Sequence, residues 1–102
     1  MTMKLILAVA AVACTSGAPP ARRAVTIEQF KFQPAVIQAS VGDTIVWENR
    51  DIVQHTATAT DKSWDSGEIN AGKRAVTVVR KKGEQEFICT LHPSMKGKLI
   101  VR

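Results

Sequence analysis

The sequence predicts an all-β domain folded as a β-sandwich of about seven or eight short strands. Apolar and β-branched runs alternate with Gly, Pro, Asp and Asn turn signals, at roughly the 8- to 12-residue spacing typical of sandwiches. No segment shows a convincing helical period, and no internal repeat is present. The chain has 102 residues, which is enough for one small domain.

The residue pattern places the strands in a fixed order along the chain. They are assigned to 25–34, 36–40, 44–49, 55–60, 75–79, 85–89 and 98–101. In the first strand Phe30 and Phe32 are spaced by two and share a face. Gln85, Phe87 and Cys89 also alternate onto one face, so Cys89 should reach the core at the point where its strand ends.

Residues 1–13 are predicted to be an export signal rather than part of the fold. Lys4 gives a positive start, and the apolar run after it is too short to span a bilayer. Small residues and then Cys14 follow, which is the order of a bacterial lipoprotein signal in which that Cys is lipidated; ordinary cleavage before Cys14 is the alternative. Residues 14–23 contain Gly and Pro and form a flexible tether, and the folded domain spans 24–102.

One short stretch carries the chemistry. Cys89, His92 and Met95 are each separated from the next by two residues, and His55 lies upstream. Two His and a Cys in a near-trigonal plane, with a weak axial Met, are the ligands of a mononuclear blue-copper site. Thiolate and thioether suit Cu(I), and imidazole suits both oxidation states, so such a site can hold both with little rearrangement. These four residues are the candidate copper ligands.

Other chemistry is less consistent with these residues. A structural zinc site uses four Cys or His ligands, and the mature chain offers three. A nucleophilic Cys89 would need a His oriented by a third group, and no such group is evident beside the His. A binuclear copper centre needs a second Cys in the loop, and catalytic copper needs additional His residues. We therefore predict that the chain is not an enzyme; a metal-free interaction module would require all four ligands to be coincidental.

The motif and its surroundings resemble the cupredoxins of the plastocyanin, pseudoazurin and amicyanin group. The matching segments are 46–51, His55, 65–67, Gly72, Gly83 and 89–97. The spacing from Trp47 to His55 and the short Cys-x-x-His-x-x-Met loop are most similar to those of amicyanins. The resemblance covers 24–102 and implies an eight-stranded Greek-key sandwich and one-electron transfer outside the cytoplasm. It also implies one type 1 copper ion bound by His55, Cys89, His92 and Met95.

Four residues depart from the family pattern. Thr56 stands where relatives often have an Asn that ties two ligand loops together, which concerns the rigidity of the site. Gln85 occupies a place where Tyr is common. Leu91 and Ser94 replace a Pro and, in amicyanins, a Phe near the exposed His, so the amicyanin partner is not carried over.

The functional hypothesis is a carrier of single electrons between redox partners in the periplasm or another extracytoplasmic space. The alternative is a copper-binding or copper-delivery protein that uses the same ligands. The net charge is +5, with a basic run at 80–82 and with Lys96 and Lys98 beside the ligand loop. The simplest interpretation of these charges is a solvated basic surface, and the functional alternative is attraction to an acidic redox partner. Few aromatics and no binding motif argue against nucleic acid. We expect a monomer, with a membrane tether if Cys14 is lipidated.

Overall fold

The computed structural model describes residues 19–102, which form two four-stranded sheets packed on each other. The strands are β1 (Arg22–Glu28), β2 (Lys31–Gln33), β3 (Val36–Ala39), β4 (Thr44–Asn49), β5 (Thr58–Ala59), β6 (Arg74–Val78), β7 (Gly83–Cys89) and β8 (His92–Val101). No helix occurs in this part of the chain, and thus none that is long and apolar enough to cross a membrane. The predicted all-β sandwich is confirmed.

The order and direction of the strands determine on which side of the domain each strand begins and ends. One sheet has the order β2-β1-β4-β6 and the other β3-β8-β7-β5. The pairs β1–β4 and β3–β8 are parallel, and the remaining pairs are antiparallel. Strands β1, β4 and β7 therefore end together, beside the start of β8, and we call this side of the domain the Cys89 end. They begin together at the opposite side, which we call the Arg22 end.

An aromatic cluster fills the core between the sheets. Phe87 is fully buried, and its ring packs edge-on against Phe32 and Trp47, with centroids 4.8 and 5.3 Å away. Trp64 stacks on Trp47 at 6.0 Å. These residues come from both sheets and from the loop before β6, because alternate side chains of each strand point inward. The cluster therefore fixes the sheets against each other below the Cys89 end.

Gly97 of β8 lies directly against this cluster. It pairs with Phe87 across the β7–β8 ladder. A Cβ atom at this position would lie 2.3 Å from Phe87 Cζ and 2.9 Å from the carbonyl oxygen of Ala35. Since the surrounding core is close-packed, only glycine fits without displacing the ring.

Three strand assignments made from the sequence are wrong in extent. The predicted first strand is divided in two, because Gln29 and Phe30 adopt positive φ angles of 56° and 59° and reverse the chain between β1 and β2. The last strand begins at His92 rather than at residue 98, since Cys89 pairs with His92 and the ladder continues from there. Only Thr58–Ala59 of the predicted strand 55–60 forms one, while His55 makes a single bridge to Ile69.

The Arg22 end is organised by one buried carboxylate. Asp43 accepts hydrogen bonds from the backbone N–H groups of Ser40 and Ala21, both at 2.9 Å, and from Arg23 Nε at 3.3 Å. The hydrogen bonds from Ser40 and Ala21, and then Arg23, hold the pKa of Asp43 below its usual range although burial opposes them. Asp43 thereby joins the start of β1 to the turn before β4, and β1 begins at Arg22, two residues ahead of the predicted domain start.

Candidate metal centre

Three of the four candidate ligands meet at the Cys89 end. The Cys89 Sγ atom lies 3.7 Å from Nδ1 of His55 and 3.7 Å from Nδ1 of His92. One donor atom from each residue lies within 4.8 Å of the others. Cys89 and His55 are fully buried, and His92 is partly exposed. The fourth, Met95, is buried in the core at the same end.

The distances between these donor atoms fit a single metal ion. Metal–sulfur and metal–nitrogen bonds of about 2.3 and 2.0 Å, directed 120° apart in a trigonal plane, separate sulfur from nitrogen by about 3.7 Å. The two observed separations of 3.7 Å match this value. A thiolate, two imidazoles and a nearby thioether are the donor set that suits copper in both oxidation states.

His55 is oriented by a carboxylate that the sequence analysis missed. His55 Nε2 lies 2.7 Å from Oδ2 of Asp51. Because a carboxylate oxygen can only accept, Nε2 carries the proton and donates a hydrogen bond to Asp51. The other nitrogen, Nδ1, then keeps its lone pair, and it faces Cys89. The orienting group judged absent from the sequence is therefore present, four residues before His55 in an irregular loop.

Asp51 also holds the turn between β1 and β2. Its Oδ1 atom accepts the backbone N–H of Gln29 at 2.6 Å, and its Oδ2 atom accepts that of Phe30 at 2.9 Å. Burial alone would raise the pKa of Asp51, but the hydrogen bonds from Phe30, Gln29 and His55 outweigh it and leave that pKa below its usual range. One carboxylate thus secures two residues with positive φ together with the proposed ligand His55.

Phe30, which the sequence assigned to the first strand, instead lies in the turn between β1 and β2 and covers the site. Its ring packs edge-on against the rings of His55 and His92, with centroid distances of 5.1 and 4.8 Å. Phe30 is 47% exposed, and Leu91 and Val53 are exposed near the same histidines. The Cys89 end therefore presents an apolar surface around the partly exposed His92. The sequence did not indicate this position for Phe30, because a positive φ is rare for a bulky residue.

Two polar contacts fix the sulfur and join the loops that carry the candidate ligands. The Thr56 backbone N–H donates to Cys89 Sγ at 3.2 Å. The Thr56 hydroxyl accepts the backbone N–H of Thr90 at 2.9 Å. Thr56 therefore ties the His55 segment to the Cys89 turn, which is the task that the sequence analysis attributed to an Asn in relatives.

The loop before His55 is closed by Asn49, which is fully buried. Its side-chain amide donates to the carbonyl oxygens of Val53 and Ile69, at 2.8 and 2.9 Å. Its side-chain oxygen accepts the backbone N–H of Asp51 at 2.9 Å. Every polar atom of this side chain is satisfied, so Asn49 fastens the segment that leads into His55.

The sandwich and this donor set define a small mononuclear copper protein. A model of the cupredoxin-like domain matches residues 3–101, and the chain belongs to the cupredoxin family, whose members carry electrons as copper proteins. Copper is therefore the cofactor, and amicyanin-like cupredoxins are electron carriers rather than enzymes.

Individual relatives agree with this assignment. The chain is 26% identical over 100 residues to amicyanin-alpha of Methylorubrum extorquens, covering 93% of this chain and 84% of that one. It is 28% identical over 82 residues to amicyanin of Paracoccus denitrificans, covering 76% and 63%.

Solved structures share the fold. The Cu(I) form of an amicyanin variant has a TM-score of 0.71 at 25% identity, covering 84% of this chain and 86% of that one. A purple cupredoxin from Nitrosopumilus maritimus has a TM-score of 0.72 at 23% identity, covering 78% and 99%.

Proposed function

We propose that this protein carries single electrons between redox partners outside the cytoplasm, with His55, Cys89, His92 and Met95 as the ligands of one type 1 copper ion. The observation that supports the proposal is the position of Cys89 Sγ, 3.7 Å from two imidazole Nδ1 atoms and 3.2 Å from the Thr56 N–H. Copper bound there would alternate between Cu(I) and Cu(II). A site whose donors are already held in place changes little between the two states.

Each residue has a definable task in this proposal. Asp51 keeps the proton of His55 on Nε2, and the Thr56 N–H stabilises negative charge on the Cys89 sulfur. His92, which is partly exposed, offers the ring edge through which a partner would exchange an electron. Phe30 beside it supplies apolar surface against which a partner can dock and exclude water.

The geometry of Cys89, His55 and Asp51 also resembles a nucleophile, base and orienting acid, and burial argues against that use. Cys89 is fully buried beneath the two imidazoles, so a substrate carbonyl could not reach the sulfur. The same burial favours a carrier over a copper-delivery protein, because two donors enclosed by the core release a metal slowly. Transfer of Cu(I) to a chelator separates the two: a carrier retains copper, and a delivery protein loses it readily.

The absorption spectrum of the Cu(II) protein tests the ligand assignment. A copper–thiolate bond gives an intense visible charge-transfer band that disappears on reduction. Cys89→Ser should abolish the band while the domain still folds, and Cys14→Ser is the matched control that should keep it. A band that persists in Cys89→Ser would show that another residue binds the copper.

Replacement of Met95 tests the axial ligand separately. Met95→Gln substitutes a harder oxygen donor for the thioether, which favours Cu(II). The variant should keep copper and show a lower reduction potential by voltammetry. An unchanged or higher potential would contradict axial ligation by Met95.

The location and the partners are also proposals. Residues 1–13 would serve as an export signal, and Cys14 as an N-terminal lipid attachment site on the tether 14–23; residues 1–18 lie outside the described part of the chain. Mass spectrometry of the mature protein from a bacterial membrane fraction tests the lipid. The partner is expected to be a redox protein, acidic where it faces Lys31 and Lys96 at the Cys89 end, and the carrier is expected to be a monomer.

A further inference from the structure

The Arg22 end collects basic side chains that lie far apart in the sequence. Arg22 and Arg23 open β1, and Arg80, Lys81 and Lys82 form the connection from β6 to β7; all five are exposed. The two groups lie at the same end because Gly42 donates its N–H to Val79 O at 2.8 Å while Ala21 accepts the N–H of Thr44 at 2.9 Å. The turn at 40–43 thus joins both segments.

Few carboxylates offset this charge. Asp43 is buried and bonded to Arg23, Asp61 is paired with Lys81 at 2.9 Å, and Glu84 at the start of β7 is paired with Lys98 at 3.8 Å. Within residues 19–102, Arg22, Arg80 and Lys82 make no ion pair. The Cys89 end differs, because acidic and basic side chains there alternate: Glu48, for example, contacts both Arg50 and Arg74.

The position of this basic surface does not suit direct docking of a redox partner at residues 80–82. Strand β7 runs from Gly83 at the Arg22 end to Cys89 at the other, a rise of about 20 Å at the usual strand repeat. Electron tunnelling weakens steeply with distance. A redox partner bound at Arg80 and Lys82 would therefore lie on the wrong side of the domain for rapid exchange.

The N-terminal segment joins the domain at this same end. The described chain starts at residue 19, and Ala21 is already bonded to Asp43 beside the basic side chains. Residue 19, where the described chain starts, therefore lies near the Arg22 end. Any attachment of the N-terminus to a membrane would bring these cations close to lipid headgroups.

We propose that the Arg22 end is a docking surface for an anionic lipid bilayer, on which it orients the domain with the Cys89 end facing away. Lys and Arg side chains near an anionic membrane surface each contribute to binding over about a Debye length. Bound in this way, the domain keeps His92 and Phe30 accessible to a soluble partner. The proposal does not depend on the copper ligands or on lipidation of Cys14.

Vesicle co-sedimentation tests the partner. The full chain in a Cys14→Ser background cannot carry a lipid, and the rest of its N-terminus contributes equally to every variant. It should bind vesicles containing phosphatidylglycerol more tightly than vesicles of phosphatidylcholine alone, and high salt should remove the difference. Arg80→Gln with Lys82→Gln should weaken binding to the anionic vesicles about 25-fold, since one surface cation contributes about fivefold.

A second pair of cations provides the matched control. Lys31→Gln with Lys73→Gln removes the same charge from side chains at the Cys89 end that are exposed and make no ion pair with any of residues 19–102. This double variant should leave vesicle binding within about twofold of the parent. Equal losses in the two double variants would show that net charge alone attracts the protein. No preference for anionic vesicles would also overturn the proposal, and an acidic protein would then be the remaining partner for the basic surface.

The orientation has its own measurement. Bicelles carrying a nitroxide on the lipid headgroup broaden the NMR signals of amides that lie close to the membrane. In the Cu(I) protein the amides of Arg22 and Lys82 should broaden, while those of Leu91 and His92 stay sharp. Broadening at Leu91 and His92 would mean that the apolar Cys89 end faces the lipid and would refute the assigned surface.

Discussion

Replacing Gly97 by alanine should reveal how tightly the proposed ligand loop is packed on the core. The new methyl group would lie 2.3 Å from Phe87 Cζ, whereas carbon atoms in contact stay about 3.5–4.0 Å apart. The ring must therefore move by more than about 1 Å. It cannot turn aside freely, because Phe32, Trp47 and Trp64 surround it.

Overpacking of this kind costs about 1–3 kcal/mol, and we expect the upper half of that range because the ring is enclosed. For a domain of this size such a loss lowers the Tm by roughly 10–20 °C. Thermal unfolding of the copper-free protein measures this change in Tm. The Cu(II) absorption band should also broaden, since Phe87 precedes Cys89 by two residues on β7 and Gly97 follows Met95 by two on β8.

A double-mutant cycle isolates the contact. Phe87→Leu removes the two ring atoms that the new methyl group would strike, so Gly97→Ala should cost at least about 1 kcal/mol less in that background. Gly72→Ala is the control: Gly72 has a positive φ of 77° and no atom within 4 Å of a new Cβ. Its cost of about 1 kcal/mol comes from the backbone and should add to that of Phe87→Leu. If Gly97→Ala were equally additive, the steric argument would be wrong.

Three further changes test the hydrogen bonds described above. Thr56→Val keeps the N–H that reaches Cys89 but removes the acceptor for Thr90, so it should lower the free energy of unfolding by about 1 kcal/mol and shift the copper band. Thr56→Ser keeps a hydroxyl and should restore both the stability and the position of the band. Equal behaviour of the two variants would show that the hydrogen bond from Thr90 to Thr56 does not matter. Asn49→Leu should cost about 2–4 kcal/mol, because it leaves the Val53 carbonyl without its donor and the Asp51 N–H without its acceptor, while the Ile69 carbonyl keeps only the His55 N–H. Denaturant unfolding measures this loss, and a loss below about 1 kcal/mol would contradict the role of Asn49. Asp43 has a lowered pKa in the folded state, so its contribution to the free energy of unfolding is complete above its unfolded pKa of about 3.9 and is lost as the pH falls toward the folded value. Asp43→Asn should therefore be less stable than the parent at pH 7 and should lose less stability on acidification. Urea titrations across that pH range would show both effects.

The sequence was most informative where local pattern and burial agree. Strand β4 was predicted with its observed bounds, because Ile45 and Trp47 alternate with more exposed residues between two clear turn signals. The Cys-x-x-His-x-x-Met spacing brought three of the candidate ligands to one end of the sandwich. Both features depend on neighbours along the chain, which a single sequence displays directly.

The features that were missed depend on contacts between distant segments. Gln29 and Phe30 have positive φ angles, which residues other than Gly, Asn and Asp rarely adopt in turns. Hydrogen bonds from their backbone N–H groups to Asp51, more than twenty residues away, stabilise this conformation. No local sequence pattern predicts such long-range hydrogen bonds. The contact of Asp51 with His55 spans only four residues and was missed for a different reason: the loop that joins them has no periodicity from which the direction of either side chain could be predicted.

The unequal support of the two histidines has a consequence for how the metal is acquired. His55 is fully buried, and Asp51 and the Asn49-closed loop hold it before any metal arrives. His92 is partly exposed at the start of β8, so an incoming ion meets it from solvent. We expect loading to proceed as capture by His92 followed by transfer inward, and unloading in the reverse order. The lifetime of the metal complex would then be governed by opening of the surface around Phe30, and a smaller side chain there should speed exchange in both directions.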